Sequence, residues 1–247
     1  MATPLVLPAR ICGRHGDPRP RVQEVVDRLL AGKEGPRVLE AGCGSLSRID
    51  LPSGRRLIGI DVEQRQLDRN DSLDEKILGD LQDFDPPQPG FDLILCWDVI
   101  EHLPEPTKAL ECLTAALNPG GGLVLAFPNL WSLKGLVTKF TPYGVHAFFY
   151  RYVVGDRRRD EEWDQFPTFF RASIAPDKLR EWSEEQGLEV VYQETYEGPV
   201  QTGLRSRNRW LDRSFALLGV VSRLFSFGRL DLGLSDCILV LQLPAGR

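Results

Sequence analysis

Val38-Leu39-Glu40-Ala41-Gly42-Cys43-Gly44-Ser45 runs from an apolar strand through a carboxylate into a turn built on two glycines. Glycine lacks a Cβ and accepts backbone angles that other residues avoid, so a ligand can lie directly on the main chain there. In an open α/β sheet the ligand crevice lies just past the carboxyl end of such a strand. The stretch therefore predicts an α/β sheet with a small-molecule site beginning at Gly42 and Gly44.

The flanking sequence extends this pattern. Val22, Val25, Val26, Leu29 and Leu30 recur at helical spacing and predict a helix over 21–31 that stops at Gly32. Strands are expected at 37–41, 57–61, 76–79, 91–96 and 122–127, and a helix at 106–117 ended by Asn118-Pro119-Gly120. Phe91-Asp92-Leu93-Ile94-Leu95-Cys96 is apolar almost throughout, which suits a parallel strand covered on both faces. Alternating strands and helices predict a doubly wound sheet. Past residue 130 the pattern loosens into a segment over 131–155 rich in Trp, Phe and Tyr, then a charged run over 156–164. A helix at 176–186, a strand at 188–196, a second amphipathic helical insert at 207–227 and an apolar strand at 237–243 complete the chain. Residues 1–20, with Pro4, Pro8, Gly16, Pro18 and Pro20, are expected to be irregular. The expected organisation is one domain over 1–247: an N-terminal segment and helix to 35, a core at 36–130, and lid insertions at 131–175 and 198–232.

With 247 residues, of which 42% are hydrophobic, the chain can bury a sizeable core. Its net charge of −5 argues against a dedicated nucleic-acid binder. Cys12, Cys43, Cys96, Cys112 and Cys237 are scattered with no CxxC, which fits reduced thiols better than a disulfide framework or a zinc site. No signal peptide and no bilayer-length apolar run is evident, so the expected setting is the cytoplasm.

A nicotinamide or flavin dinucleotide would need a third glycine and a helix whose N-terminus faces the pyrophosphate. Here Ser45-Leu46-Ser47 follows Gly44, and Asp50, Pro52 and Gly54 leave room for at most a short helical turn. Glu40 would repel a pyrophosphate and favour a ligand carrying an ammonium or sulfonium. These features lean toward S-adenosylmethionine. Asp61 closes the next strand, where a carboxylate can accept from both hydroxyls of a ribose; the competing reading of such a residue is a turn or helix cap.

Five segments in order carry a resemblance: Val38 to Gly44, Gly59-Ile60-Asp61-Val62, Gly79-Asp80-Leu81, Phe91 to Leu103, and Leu117 to Asn129. Over about 36–130 the chain resembles class I S-adenosylmethionine-dependent methyltransferases, departing from them at Leu46, where a third glycine is common. The resemblance implies a Rossmann-like seven-stranded sheet whose last two strands form a terminal antiparallel pair. It also implies roles. Gly42 and Gly44 would lie under the methionine portion of the cofactor and Glu40 would orient its amino-acid end. Asp61 would hold the ribose, Val62 would lie along the adenine, and Asp80 with the backbone of Leu81 would meet the adenine amino group. Backbone near Cys96 and Trp97 would face the methionine ammonium, with Trp97 adding cation–π attraction.

Methyl transfer is an in-line displacement that needs a positioned nucleophile and a dry pocket. A hydroxyl nucleophile also needs a base, and histidine is suited to that task. His15 falls in the irregular N-terminus and His146 in the aromatic insert, while His102 follows Glu101 just past the fourth strand. A Glu-His pair occurs at this position in quinone-type O-methyltransferases, so Glu101 and His102 are the catalytic candidates. Asp98, Glu101 and His102 could also ligate a divalent metal, as similar clusters do in some relatives, but no further ligand is evident and none is expected. The expected reaction is O-methylation of an apolar or aromatic small molecule. The alternatives are a non-catalytic scaffold that binds the cofactor and a nicotinamide-dependent oxidoreductase. Arginines and lysines flanking the apolar residues of both inserts also suit contact with a membrane surface.

Overall fold

The computed structural model describes residues 11–12, 16–44, 48–86, 88–140, 168–169, 171–227 and 231–246. The strands are β1 (Ile11–Cys12), β2 (Arg37–Ala41), β3 (Arg56–Asp61), β4 (Glu75–Leu78), β5 (Phe91–Trp97), β6 (Leu117–Pro128), β7 (Glu189–Tyr196) and β8 (Asp236–Gln242). They form one sheet in the order β1-β7-β8-β6-β5-β2-β3-β4. All seven expected strands are present, and every pairing is parallel except β6 with β8 and β7 with β8. β8, inserted antiparallel between β6 and β7, gives the terminal pair that the resemblance implies.

Because side chains alternate along a strand, one sheet builds two cores. Leu39, Ile58, Ile94, Leu123 and Leu239 face one side, packed with Ala109, Leu110 and Leu113 of α3 (Pro106–Ala115) and Leu179 of α5 (Pro176–Glu185). Val38, Leu57, Leu93, Val124 and Val240 face the other, where Val22, Val25 and Val26 of α1 (Arg19–Leu30) cover them. Each such fully buried side chain contributes about 1.5–3 kcal/mol.

Several expected boundaries are corrected. Residues 11–12, expected to be irregular, pair with Glu194 and Thr195 and add an eighth, edge strand. Asn118-Pro119-Gly120 does not interrupt the chain between α3 and a later strand; α3 ends at Ala115 and β6 begins at Leu117. A shift of register between Phe91 and Leu93 accommodates the proline and glycines, with Gly120 at φ +76°. The helical insert expected over 207–227 is present as α7 (Arg209–Phe225), and a further helix not anticipated from the sequence, α6 (Pro199–Arg207), precedes it. Asn208 separates them, because its side chain accepts the Trp210 N–H at 2.8 Å and caps α7. The short helix α2 (Gln64–Arg69) follows β3, and α4 (Leu133–Phe140) follows β6. Ser45 to Ser47, His15, His146, the aromatic residues of 141–152 and the charged run of 156–162 lie outside the described residues.

The sheet puts one edge to use. The carboxyl ends of β2, β3, β5, β6 and β7 and the amino end of β8 all lie along it. The turn after β2, the acid ending β3 and the turn after β5 are brought together there.

Candidate active site

At that edge Gly42 and Cys43 leave β2 and both donate their N–H groups to the Ile60 carbonyl, at 2.8 and 3.2 Å. This ties the glycine turn to the last residues of β3. Gly42 and Gly44 have φ of +68° and +50°, a region that L-residues enter at a cost. The two are otherwise unlike. A Cβ on Gly42 would lie 2.4 Å from Val99 Cγ2, so that glycine answers to packing against the turn after β5. Among the described residues a Cβ on Gly44 would meet nothing within 4 Å, which leaves room beside it for a ligand.

Asp61, buried at the end of β3, accepts the Gly44 N–H at 3.1 Å on Oδ2 and the Glu63 N–H at 3.0 Å on Oδ1. Val62 beside it is an apolar side chain left 54% exposed. Glu40 is buried on β2. Burial pushes the Cys43 thiol up to about 12, and the negative field of Asp61 and Glu40 adds to the rise.

Two polar residues not anticipated from the sequence hold this edge in shape. Asn70, buried just past α2, donates to the Gly44 carbonyl at 3.3 Å and accepts from the Ser72 N–H and hydroxyl. Gln82 donates to both oxygens of Asp80, at 3.1 and 3.0 Å, and accepts the Glu105 N–H at 2.8 Å. It thereby links the loop after β4 to the start of α3. Both are amides that join separate loops, a role with no periodicity to reveal it. Leu81 is buried in the core, which leaves its backbone as the part available to a ligand.

On β5, Cys96 is fully buried, and burial together with Glu101 and Asp98 holds its thiol far above the usual range. Trp97 is half-buried, and a cation does lie over its ring: the Arg48 guanidinium, 6.0 Å from the centroid. Arg48 also pairs with Asp98 at 3.3 Å, and Asp98 sits at φ +57°. The turn after β5 then forms a 3-10 helix over Ile100–His102. Glu101 is buried there, and its carbonyl accepts the Phe169 N–H at 2.9 Å. Burial, with help from Asp98, pushes the Glu101 carboxyl up to about 8. His102 is partly exposed, its Nε2 3.9 Å from Glu101 Oε1. Asp98, Glu101 and His102 thus share one turn, yet among the described residues no group of three His, Cys, Asp or Glu is close enough to hold a metal ion.

Residues 14–193 match the family model described as a methyltransferase domain. The chain belongs to this family. It is an S-adenosylmethionine-dependent methyltransferase. The ubiquinone biosynthesis O-methyltransferase of Alkalilimnicola ehrlichii is 26% identical over 192 residues, covering 70% of this chain and 68% of the relative. The fold is that of the S-adenosylmethionine-dependent methyltransferase from Archaeoglobus fulgidus, with a TM-score of 0.51 at 18% identity over 91% of this chain and 94% of that one. It is also that of the [4+2]-cyclase SpnF, with a TM-score of 0.55 at 17% identity over 94% and 87% of the two chains. The methyltransferase's edge carries the glycine turn at Gly42 and Gly44 and the buried carboxylates of Glu40 and Asp61.

Proposed function

We propose that this methyltransferase methylates an oxygen on an apolar or aromatic small molecule of quinone-, lipid- or natural-product type. The observation that carries the reading is the pairing of a partly exposed His102 with a buried, proton-retaining Glu101 at the edge where the glycine turn opens. The similarity to a ubiquinone biosynthesis O-methyltransferase supports oxygen as the nucleophile.

The chain's own groups divide the work. Gly42, Gly44 and Glu40 receive the amino-acid end of the cofactor. Asp61 and Val62 receive its ribose and adenine, Asp80 and the Leu81 backbone its amino group, and Cys96 and Trp97 border its ammonium. When bound, S-adenosylmethionine supplies an electrophilic methyl on a sulfonium. A hydroxyl attacking that methyl must shed its proton, and His102 is the side chain at this edge that takes it. Glu101 keeps its own proton below about 8 and acts as a positioning residue beside the imidazole. Phe169 is bonded to Glu101 through its backbone, and Trp131 follows β6 at the same edge; both present partly exposed rings suited to an apolar acceptor. A dry surround strengthens each electrostatic contact.

The test is labelled methyl transfer to a panel of catechols and reduced quinones, alongside calorimetry with S-adenosylhomocysteine. His102→Ala should lower turnover about 10²–10⁴-fold with cofactor affinity retained. Unchanged turnover on a working acceptor rejects His102 as base, and transfer only to amines or carbon rejects the O-methylation reading.

A further inference from the structure

Helix α7 is built inside out. Of its residues Arg209–Phe225, only Gly219 is buried. Trp210, Leu217, Val221 and Leu224 recur at intervals of seven, four and three residues, which sets them in one stripe along the helix. That stripe faces solvent: Trp210 is 75% and Leu224 71% exposed. Phe225, the last residue of the helix, is 85% exposed, and Phe227 just past it 95%. Exposed apolar surface of this extent marks an interaction site.

The helix is nevertheless well anchored from its other side. A Cβ on Gly219 would lie 2.7 Å from Asp231 Oδ1, so the backbone there is pressed against the segment before β8. Arg205, buried on α6, pairs with Glu197 at 2.9 Å and with Asp212 of α7 at 2.5 Å, and lies over the Phe215 ring at 5.8 Å. The exposed stripe is therefore the outward face of a seated helix.

Charge selects the occupant. On a chain of net charge −5, α7 carries Arg209 and Arg213 toward its amino end, while its one acid, Asp212, is tied to Arg205 and its third arginine, Arg223, is paired with Asp231 at 3.5 Å. Arg213 lies over the Trp210 ring at 5.7 Å, so cation and apolar stripe are adjoining. A second copy of the chain docked on this stripe would offer Arg209 and Arg213 no acid from the helix, because Asp212 is already tied to Arg205. A surface of anionic lipid head groups complements it, and arginines with Trp, Phe and Leu on one face are the composition of helices that lie in a bilayer interface. Among the described residues no helix is long and apolar enough to cross a membrane, so contact would be along the surface.

We propose that α7 docks this methyltransferase reversibly on an anionic lipid surface. The helix hangs between the carboxyl end of β7 and the amino end of β8, on the same edge as Gly44, Asp61 and Trp97. Docking would set the active-site edge of the sheet toward the lipid. The inference does not depend on which acceptor is methylated.

The full chain is floated with vesicles of phosphatidylcholine alone or with 30% phosphatidylglycerol (on the order of a third anionic, as in polybasic-surface experiments). Expected is binding to the anionic vesicles that weakens with salt. Arg209→Gln with Arg213→Gln should lower partitioning about tenfold or more and flatten the salt dependence. Leu217→Gln with Leu224→Gln should abolish binding while leaving thermal unfolding and S-adenosylhomocysteine affinity intact. Three results would overturn the proposal: no binding to anionic vesicles, binding indifferent to both double variants, or a dimer in solution that the leucine variant dissolves. Retained cofactor binding in that variant separates a failure here from a failure of the catalytic reading.

Discussion

Gly42→Ala and Gly44→Ala are the same substitution two residues apart, and the structure assigns them different consequences. Both positions have positive φ, which costs an alanine about 1–2 kcal/mol, offset by about 0.4–1 kcal/mol from the stiffer unfolded chain. At Gly42 the new methyl also lands 2.4 Å from Val99 Cγ2 and 2.9 Å from Cγ1. Overpacking of this kind costs about 1–3 kcal/mol more. Gly42→Ala should therefore lose about 2–4 kcal/mol, a large share of the stability of about 5–15 kcal/mol typical of folded proteins. Gly44→Ala meets nothing within 4 Å among the described residues, so its loss should stay near 1 kcal/mol or below, about the bare backbone cost. Its methyl instead fills the face proposed for the cofactor, and affinity for S-adenosylhomocysteine should fall steeply. Urea unfolding followed by circular dichroism gives the first quantity and calorimetry the second. Adding Val99→Ala to Gly42→Ala should recover part of its stability, since the clash is with that side chain. Equal destabilisation by the two alanines, or wild-type affinity in Gly44→Ala, would refute the reasoning.

Three further outcomes are expected. Asp61→Asn keeps the shape of the side chain but loses its charge, and should weaken S-adenosylhomocysteine binding about 10–100-fold by calorimetry, the value of hydrogen bonds to an ionised group. Glu101 has a folded-state pKa of about 8, above the 4.5 of its free carboxyl, so the native state holds a proton that the unfolded chain has lost. Its contribution is present below the unfolded value and is lost as pH rises toward 8; Glu101→Gln should gain on wild type across that window in pH-dependent melting, and parallel curves would reject the assignment. Arg205→Ala removes a buried guanidinium that pairs with the part-buried Glu197 at 2.9 Å and with Asp212, and should cost about 1–3 kcal/mol, with hydrogen exchange rising first in α6 and α7.

The sheet was legible because its signal is local. Leu93, Ile94 and Leu95 are apolar in succession, and Glu40 and Asp61 end strands that pair with each other in register. The boundaries were less legible where one residue decides them. Asn208 sets the boundary between α6 and α7 through a single side-chain cap, and the glycines after Pro119 let a strand carry residues that usually end one. Strand β1 depends on β7, almost the whole chain away, and nothing in Ile11-Cys12 signals it. At the site, carboxylates and glycines stood out because their spacing from strand ends is regular. Arg48 over Trp97, Asn70 on Gly44 and Gln82 on Asp80 are meetings of distant loops, visible only once the sheet has placed them.

The bonds from Gly42 and Cys43 to the Ile60 carbonyl, and from Gly44 to Asp61, bear on how variants here combine. The glycine turn and the acid ending β3 form one mechanical unit rather than two contact points. Substitutions in residues that share partners do not add, and coupling energies of about 0.5–3 kcal/mol are usual between them. A double-mutant cycle across Gly44 and Asp61 should thus be strongly non-additive, and tolerance at either position will depend on what occupies the other.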